Sequence, residues 1–71
     1  MYSFTKIVRK AEHVRRYSIE PTKVGWEVRE ERDSETVRRA FYQDWHRVER
    51  ARRSFAVQLM TLQQHGWDEV V

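Results

Sequence analysis

The sequence contains no cysteine, a single proline and only two glycines in 71 residues. Without cysteine there can be no disulfide and no thiolate metal site. A core this small rarely supplies more than about 3–5 kcal/mol by itself, so tight packing or a partner subunit is needed. Lack of cysteine is also compatible with a reducing compartment. No apolar run approaches the ~20 residues of a membrane span. The opening "MYSFTKIVRKAEH" has no apolar segment of signal-peptide length. The expectation is a soluble, cytoplasmic protein with no membrane partner. A chain that starts at Met1 is further expected to be complete, one small domain over residues 1–71.

Catalytic signatures are also missing. There is no Gly-rich phosphate loop, no Ser-His-Asp logic and no Cys-His pair. His13, His46 and His65 fall in separate segments. "HRVE" (His46 to Glu49) has the i,i+3 spacing of di-metal bundle sites, but those need the motif twice plus two further carboxylates. No cofactor, no metal and no enzymatic function are expected.

What the chain does have is aromatic rings and charge. Nine Phe, Tyr and Trp residues argue against disorder, which goes with few rings. The charge is distributed in blocks. Residues 1–23 carry +4, residues 24–35 carry −3, residues 36–67 carry +4, and Asp68 and Glu69 close at −2. A nucleic-acid binder would seldom set an acidic block between two basic ones unless the fold separates them. Complementary blocks can instead pair, within one chain or between two copies.

Pro21 and Gly25 bracket "PTKVG", the strongest turn signal in the chain. "RRYSIE" before it and "WEVREE" after it alternate, so they read as a β-hairpin with Tyr17, Ile19, Trp26 and Val28 on its apolar face. "RDSE" suits a turn. "TVRRAFY" fits a strand through its β-branched and aromatic residues, although Val37, Phe41, Trp45 and Val48 also fit a helix. A helix from Ser34 to His65 would far exceed the mean of roughly 11–12 residues, and Asp44 offers an N-cap for a later start. A third strand is therefore favoured. From Asp44 onward, Trp45, Val48, Phe55, Leu59 and Leu62 form one helical stripe. Gly66 suits a left-handed stop, with Trp67 placed to pack on Leu62. The last residues, "DEVV", are expected to fray. In "FTKIVRKAEHV", Ile7, Ala11 and Val14 suggest a short helix. The fold expected is α+β: a small antiparallel three-stranded meander against a long C-terminal helix, with a short N-terminal helix (α-β-β-β-α). The alternative is ββα with one helix from about residue 35 to 65.

On that helix Arg47, Arg50, Arg53 and His46 fall opposite the apolar stripe. With Arg38 and Arg39 these arginines form a candidate phosphate- or partner-binding set, since guanidinium favours bidentate contact with phosphate or carboxylate. The plain alternative is a solvated outer face. Arg52 lies near the centre of the stripe, so it must snorkel or find a partner. Glu27, Glu30 and Glu49 are its candidates, for a structural ion pair across the sheet or a dimer interface. Val57 and Met60 leave the helix apolar on a second side, which usually means two neighbours. Phe55, Val57 and Met60 are therefore candidates for self-association.

The expected α-β-β-β-α order resembles that of the double-stranded RNA-binding domain, which is of similar length. That family opens its second helix with a lysine-rich run and carries a "GPxH"-type loop. Here "DWHRVERARR" and "EPTKVG" occupy those places, so no site residue carries over. Two functions follow from the residues themselves. The first is a non-catalytic interaction protein, a homodimer that binds another protein. The second is a sequence-independent nucleic-acid binder that places Arg38, Arg39, Arg47, Arg50 and Arg53 on phosphates.

Overall fold

The computed structural model describes residues 2–70. It is an α+β fold, a small antiparallel sheet packed against one C-terminal helix. The strands are β1 (Phe4–Lys10), β2 (His13–Thr22), β3 (Gly25–Arg32) and β4 (Glu35–Tyr42), followed by helix α1 (Trp45–Gln64) and the two-residue β5 (Asp68–Glu69). The sheet order is β4-β3-β2-β1-β5.

The expected hairpin is β2–β3, closed over Lys23 and Val24, with Thr22 opposite Gly25. Gly25 is required there, because a Cβ would sit 2.2 Å from the Tyr42 carbonyl oxygen. Residues 35–42 are β4, not the start of a long helix. The β3–β4 turn puts Asp33 and Ser34 at φ 51° and 71°, the pairing of positive values that suits a two-residue hairpin between right-twisted strands.

Two expectations fail. There is no N-terminal helix: residues 4–10 are β1, paired along its whole length with β2. Ile7 and Val14 share a sheet face, each opposite an arginine, and Ala11 sits in the intervening turn at φ 55°. Their helix-like spacing is therefore coincidental, and the α-β-β-β-α order is not realised. Asp68, Glu69 and Val70 also do not fray, and Val71, the last residue of that expectation, lies outside the described residues. Asp68 and Glu69 pair with Arg9 and Val8, and the Val70 amide donates to the Ile7 carbonyl at 2.8 Å. β5 thus covers the β1 edge.

The ends of α1 are set by the residues that the sequence marks. The Asp44 carboxylate accepts from the His46 amide at 3.0 Å, satisfying one of the orphan donors of the first turn. At the other end Gly66 has φ 92°. The Trp67 amide bonds the Leu62 carbonyl and the Gly66 amide bonds that of Gln63, which is the Schellman pattern. Lys10 Nζ adds a 2.6 Å bond to the His65 carbonyl, a cation at the negative end of the helix dipole.

The core lies between α1 and one sheet face. Val8, Tyr17, Ile19 and Val28 from the strands meet Val48, Ala51, Phe55 and Leu59 from the helix. The Phe55 ring packs edge-on to Tyr17 at 5.0 Å. At the end where α1 begins, Trp45 touches Tyr2 and Trp26. Among the described residues the opposite sheet face carries no helix.

Candidate functional site

Arg38 and Arg39 are neighbours in a strand, so their side chains leave opposite faces of the sheet. Arg39 goes to the bare face. There it bonds Glu27 and stacks over the Phe41 ring, 5.1 Å from its centroid. Arg38 shares the helix-side face with Ala40 and Tyr42, opposite Glu30, Val28 and Trp26. On α1, Arg47, Arg50 and Ser54 are spaced three and four residues apart and so project along one side. Strand alternation and helix periodicity converge on one groove of about 490 Å³ between β4 and α1. It is lined by Arg38, Tyr42, Arg47, Arg50, Ala51 and Ser54.

The acidic block of residues 24–35 is engaged elsewhere. Glu27 holds Arg29 and Arg39, Glu31 holds Arg29, and Glu30, only 5% exposed, holds Arg32. Burial raises the Glu27 carboxyl, but hydrogen bonds and charges from Arg39 and Arg29 outweigh it and hold it below its ordinary value. Arg29 is raised in return, chiefly by its bond to Glu27. Among the described residues, Arg38, Arg47 and Arg50 have no carboxylate within 4 Å. The three guanidiniums repel one another, and an anion held among them would reverse that sign. The Ser54 hydroxyl accepts from Gln58 Nε2 at 3.1 Å, leaving its own hydrogen free to donate into the groove.

The candidate set thus divides. Arg38, Arg47 and Arg50 come together. Arg39 lies on the other sheet face, and Arg53 leans to Glu49 at 3.5 Å. Arg52 pairs with Glu49 on its own helix through two bonds, of 3.0 and 2.6 Å. The pair does not cross the sheet: Glu27 lies on the face away from the helix, and Glu30 holds Arg32. Arg52 is not near the centre of the buried side as expected: Val48, Ala51, Phe55 and Leu59 define that side, and Arg52, at 37% side-chain exposure, reaches water along its edge. Its hydrogen bond and charge lower the Glu49 carboxyl. Of the self-association candidates, Phe55 is fully buried inside the chain and can contribute nothing to a surface. Val57 and Met60 are 64% and 60% exposed.

Tyr42, Ala51 and Ser54 are the groove residues that the sequence reading misses, the first and last being polar. The signals are present: Tyr42 follows Arg38 by four in a strand, and Ser54 follows Arg50 by four in a helix. Neither spacing has meaning until the two elements are docked.

Arg47 also lines a second hollow, of about 410 Å³, at the junction of β4 with α1. Its other walls include Trp26, Phe41, Tyr42 and Val24. Among the described residues no cluster of three or more His, Asp or Glu could hold a metal ion, and no helix is long and apolar enough to cross a membrane. No family model, curated protein or solved structure matches this chain.

Proposed function

We propose that the protein is a non-catalytic nucleic-acid binder that seats backbone phosphates in the Arg38–Arg47–Arg50 groove. One observation carries this reading: three guanidiniums without a carboxylate partner line one groove, while the neighbouring acids of β3 are tied to other arginines. An acidic block between two basic ones counts against nucleic-acid binding only when it neutralises them. Here it neutralises Arg29, Arg32 and Arg39. Guanidinium pairs with phosphate bidentately, which gives geometry as well as charge. The contacts are to backbone, so the binding is independent of base sequence. The absence of cysteine is in keeping with work in the cytoplasm.

The test is fluorescence anisotropy with labelled DNA and RNA at about 50 mM salt. Three phosphate contacts predict a log–log salt slope of about −2 to −3. Replacing Arg38, Arg47 and Arg50 by Gln should abolish that slope and the binding, with the fold intact by circular dichroism. Absence of binding to any strand, single or double, would set the proposal aside.

A second reading, a self-associating protein that binds another protein, is favoured by Val57 and Met60. They stand exposed on the side of α1 away from the sheet. A light-scattering mass of one chain at micromolar concentration would remove it.

A further inference from the structure

We infer that the nucleic acid is single-stranded and that one unstacked base enters the hollow walled by Trp26, Phe41 and Tyr42. This rests on the proposed phosphate groove and adds a second site to it. The groove and the hollow are continuous: Arg47 and Tyr42 line both. A strand whose phosphates lie on Arg38, Arg50 and Arg47 therefore meets aromatic walls at the next step. In a duplex the bases are stacked and paired, so an aromatic hollow beside a phosphate groove can be filled only by a strand with free bases. Aromatic side chains beside a basic groove are how sequence-tolerant single-strand binders gain affinity, because every base has a π-face.

The chemistry of the walls fits a base better than an aliphatic group. Phe41 is 61% exposed, so its ring is accessible to a base at the hollow. Phe41 leaves the bare face of the sheet with Glu27 and Arg39 and reaches the rim of the hollow, and the Arg39 guanidinium, bonded to Glu27, lies over one face of its ring. Trp26 is braced by Trp45, with centroids 5.3 Å apart. Gln43 and Asp44, also at the hollow, supply the polar groups that a base edge can bond. A rigid aromatic wall needs little ordering on binding, which is where the affinity comes from.

The experiment compares three probes on the unaltered chain: an oligothymidylate of about 12 nucleotides, an abasic strand of the same length, and a duplex of the same length. All three present phosphates, but only the first presents free bases. The expected result is that oligothymidylate binds about tenfold tighter than the abasic strand. Phe41→Ala should bring the two together while leaving abasic binding and the thermal melt unchanged. An oligouridylate should behave as oligothymidylate does, since the contact is to the base face. Equal affinities for oligothymidylate and abasic strand, or a duplex bound as tightly as oligothymidylate, would overturn the base site and leave the phosphate groove standing. If none of the probes binds, both fall.

Discussion

Two sides of one helix carry different tasks. The side of α1 toward the sheet buries Val48, Ala51, Phe55 and Leu59. The side toward the β4 edge presents Arg47 and Arg50 to an open groove. Arg52 sits on the border and is satisfied by Glu49. The same residue type is thus a stabilising partner at one position and an unpaired charge two residues earlier. Strand β3 shows the complementary case: Arg29 lies between Glu27 and Glu31 and is bonded to both. Arginine count says little about function, and arginine pairing says much more. Pairing depends on which neighbour an element is docked against.

The contrast between the two sides can be broken from either. The largest effect is expected from Phe55→Ala. Truncating a fully buried Phe costs about 3–5 kcal/mol, comparable to the whole stability of a core this size. The variant should lose its cooperative melt, and with it any binding. Arg50→Gln on the other side should leave stability within about 0.5 kcal/mol and change only affinity. If the two variants melt alike, the division of tasks is wrong.

Acid should act on the paired network and spare the core. Glu27, Glu49 and Asp33 are all held below their ordinary values. Arg39 and Arg29 do this for Glu27 against the effect of burial, Arg52 for Glu49, and the Val14 amide followed by His13 for Asp33. A carboxyl whose folded value is depressed stabilises fully above its unfolded value and loses that contribution as pH falls through the folded one. Melting temperature should therefore begin to fall below about pH 4.5, the ordinary value for Glu27 and Glu49. Glu27→Gln should lower it at neutral pH and flatten the acid limb. An unchanged acid limb would show that the β3 arginines are no better paired than those of the groove.

The smallest effect sharpens the inward side. The Tyr17 hydroxyl is buried and has no hydrogen-bond partner, which costs stability that a phenyl ring would not. Tyr17→Phe should leave the melt unchanged or raise stability by up to about 1 kcal/mol. A clear loss would mean that the hydroxyl is bonded in solution.

Much of this fold could be read locally. The β2–β3 hairpin shows in the alternation around Pro21 and Gly25. The start of α1 shows in Asp44 and its end in Gly66, because caps and turns are chemistry between residues close in sequence. β1 is poorly legible because its turn, Ala11 and Glu12, has none of the residues that favour turns. Val8 is its only fully buried residue, so its alternation is weak. β5 could not be read at all, since two polar residues carry no pattern of their own and become a strand only because β1 offers an open edge. The site was half legible. The arginines are visible as a group, but the group contains Arg39, which the fold sends to the other sheet face, and Arg53, which leans to Glu49 in a separate hollow that it shares with Arg47 and Arg50.

By itself the sequence determined the elements with strong local signals: one hairpin, one capped amphipathic helix, and arginines on the side of that helix away from its apolar stripe. Only the tertiary structure decided that β4 lies beside that side, that the β3 acids are bound to Arg29, Arg32 and Arg39, and that Arg38, Arg47 and Arg50 share a groove without a counter-charge. The reason is physical. Caps, turns and periodicity act over a few residues, whereas the partner of a charge is whichever opposite charge the packed chain brings within a few ångströms.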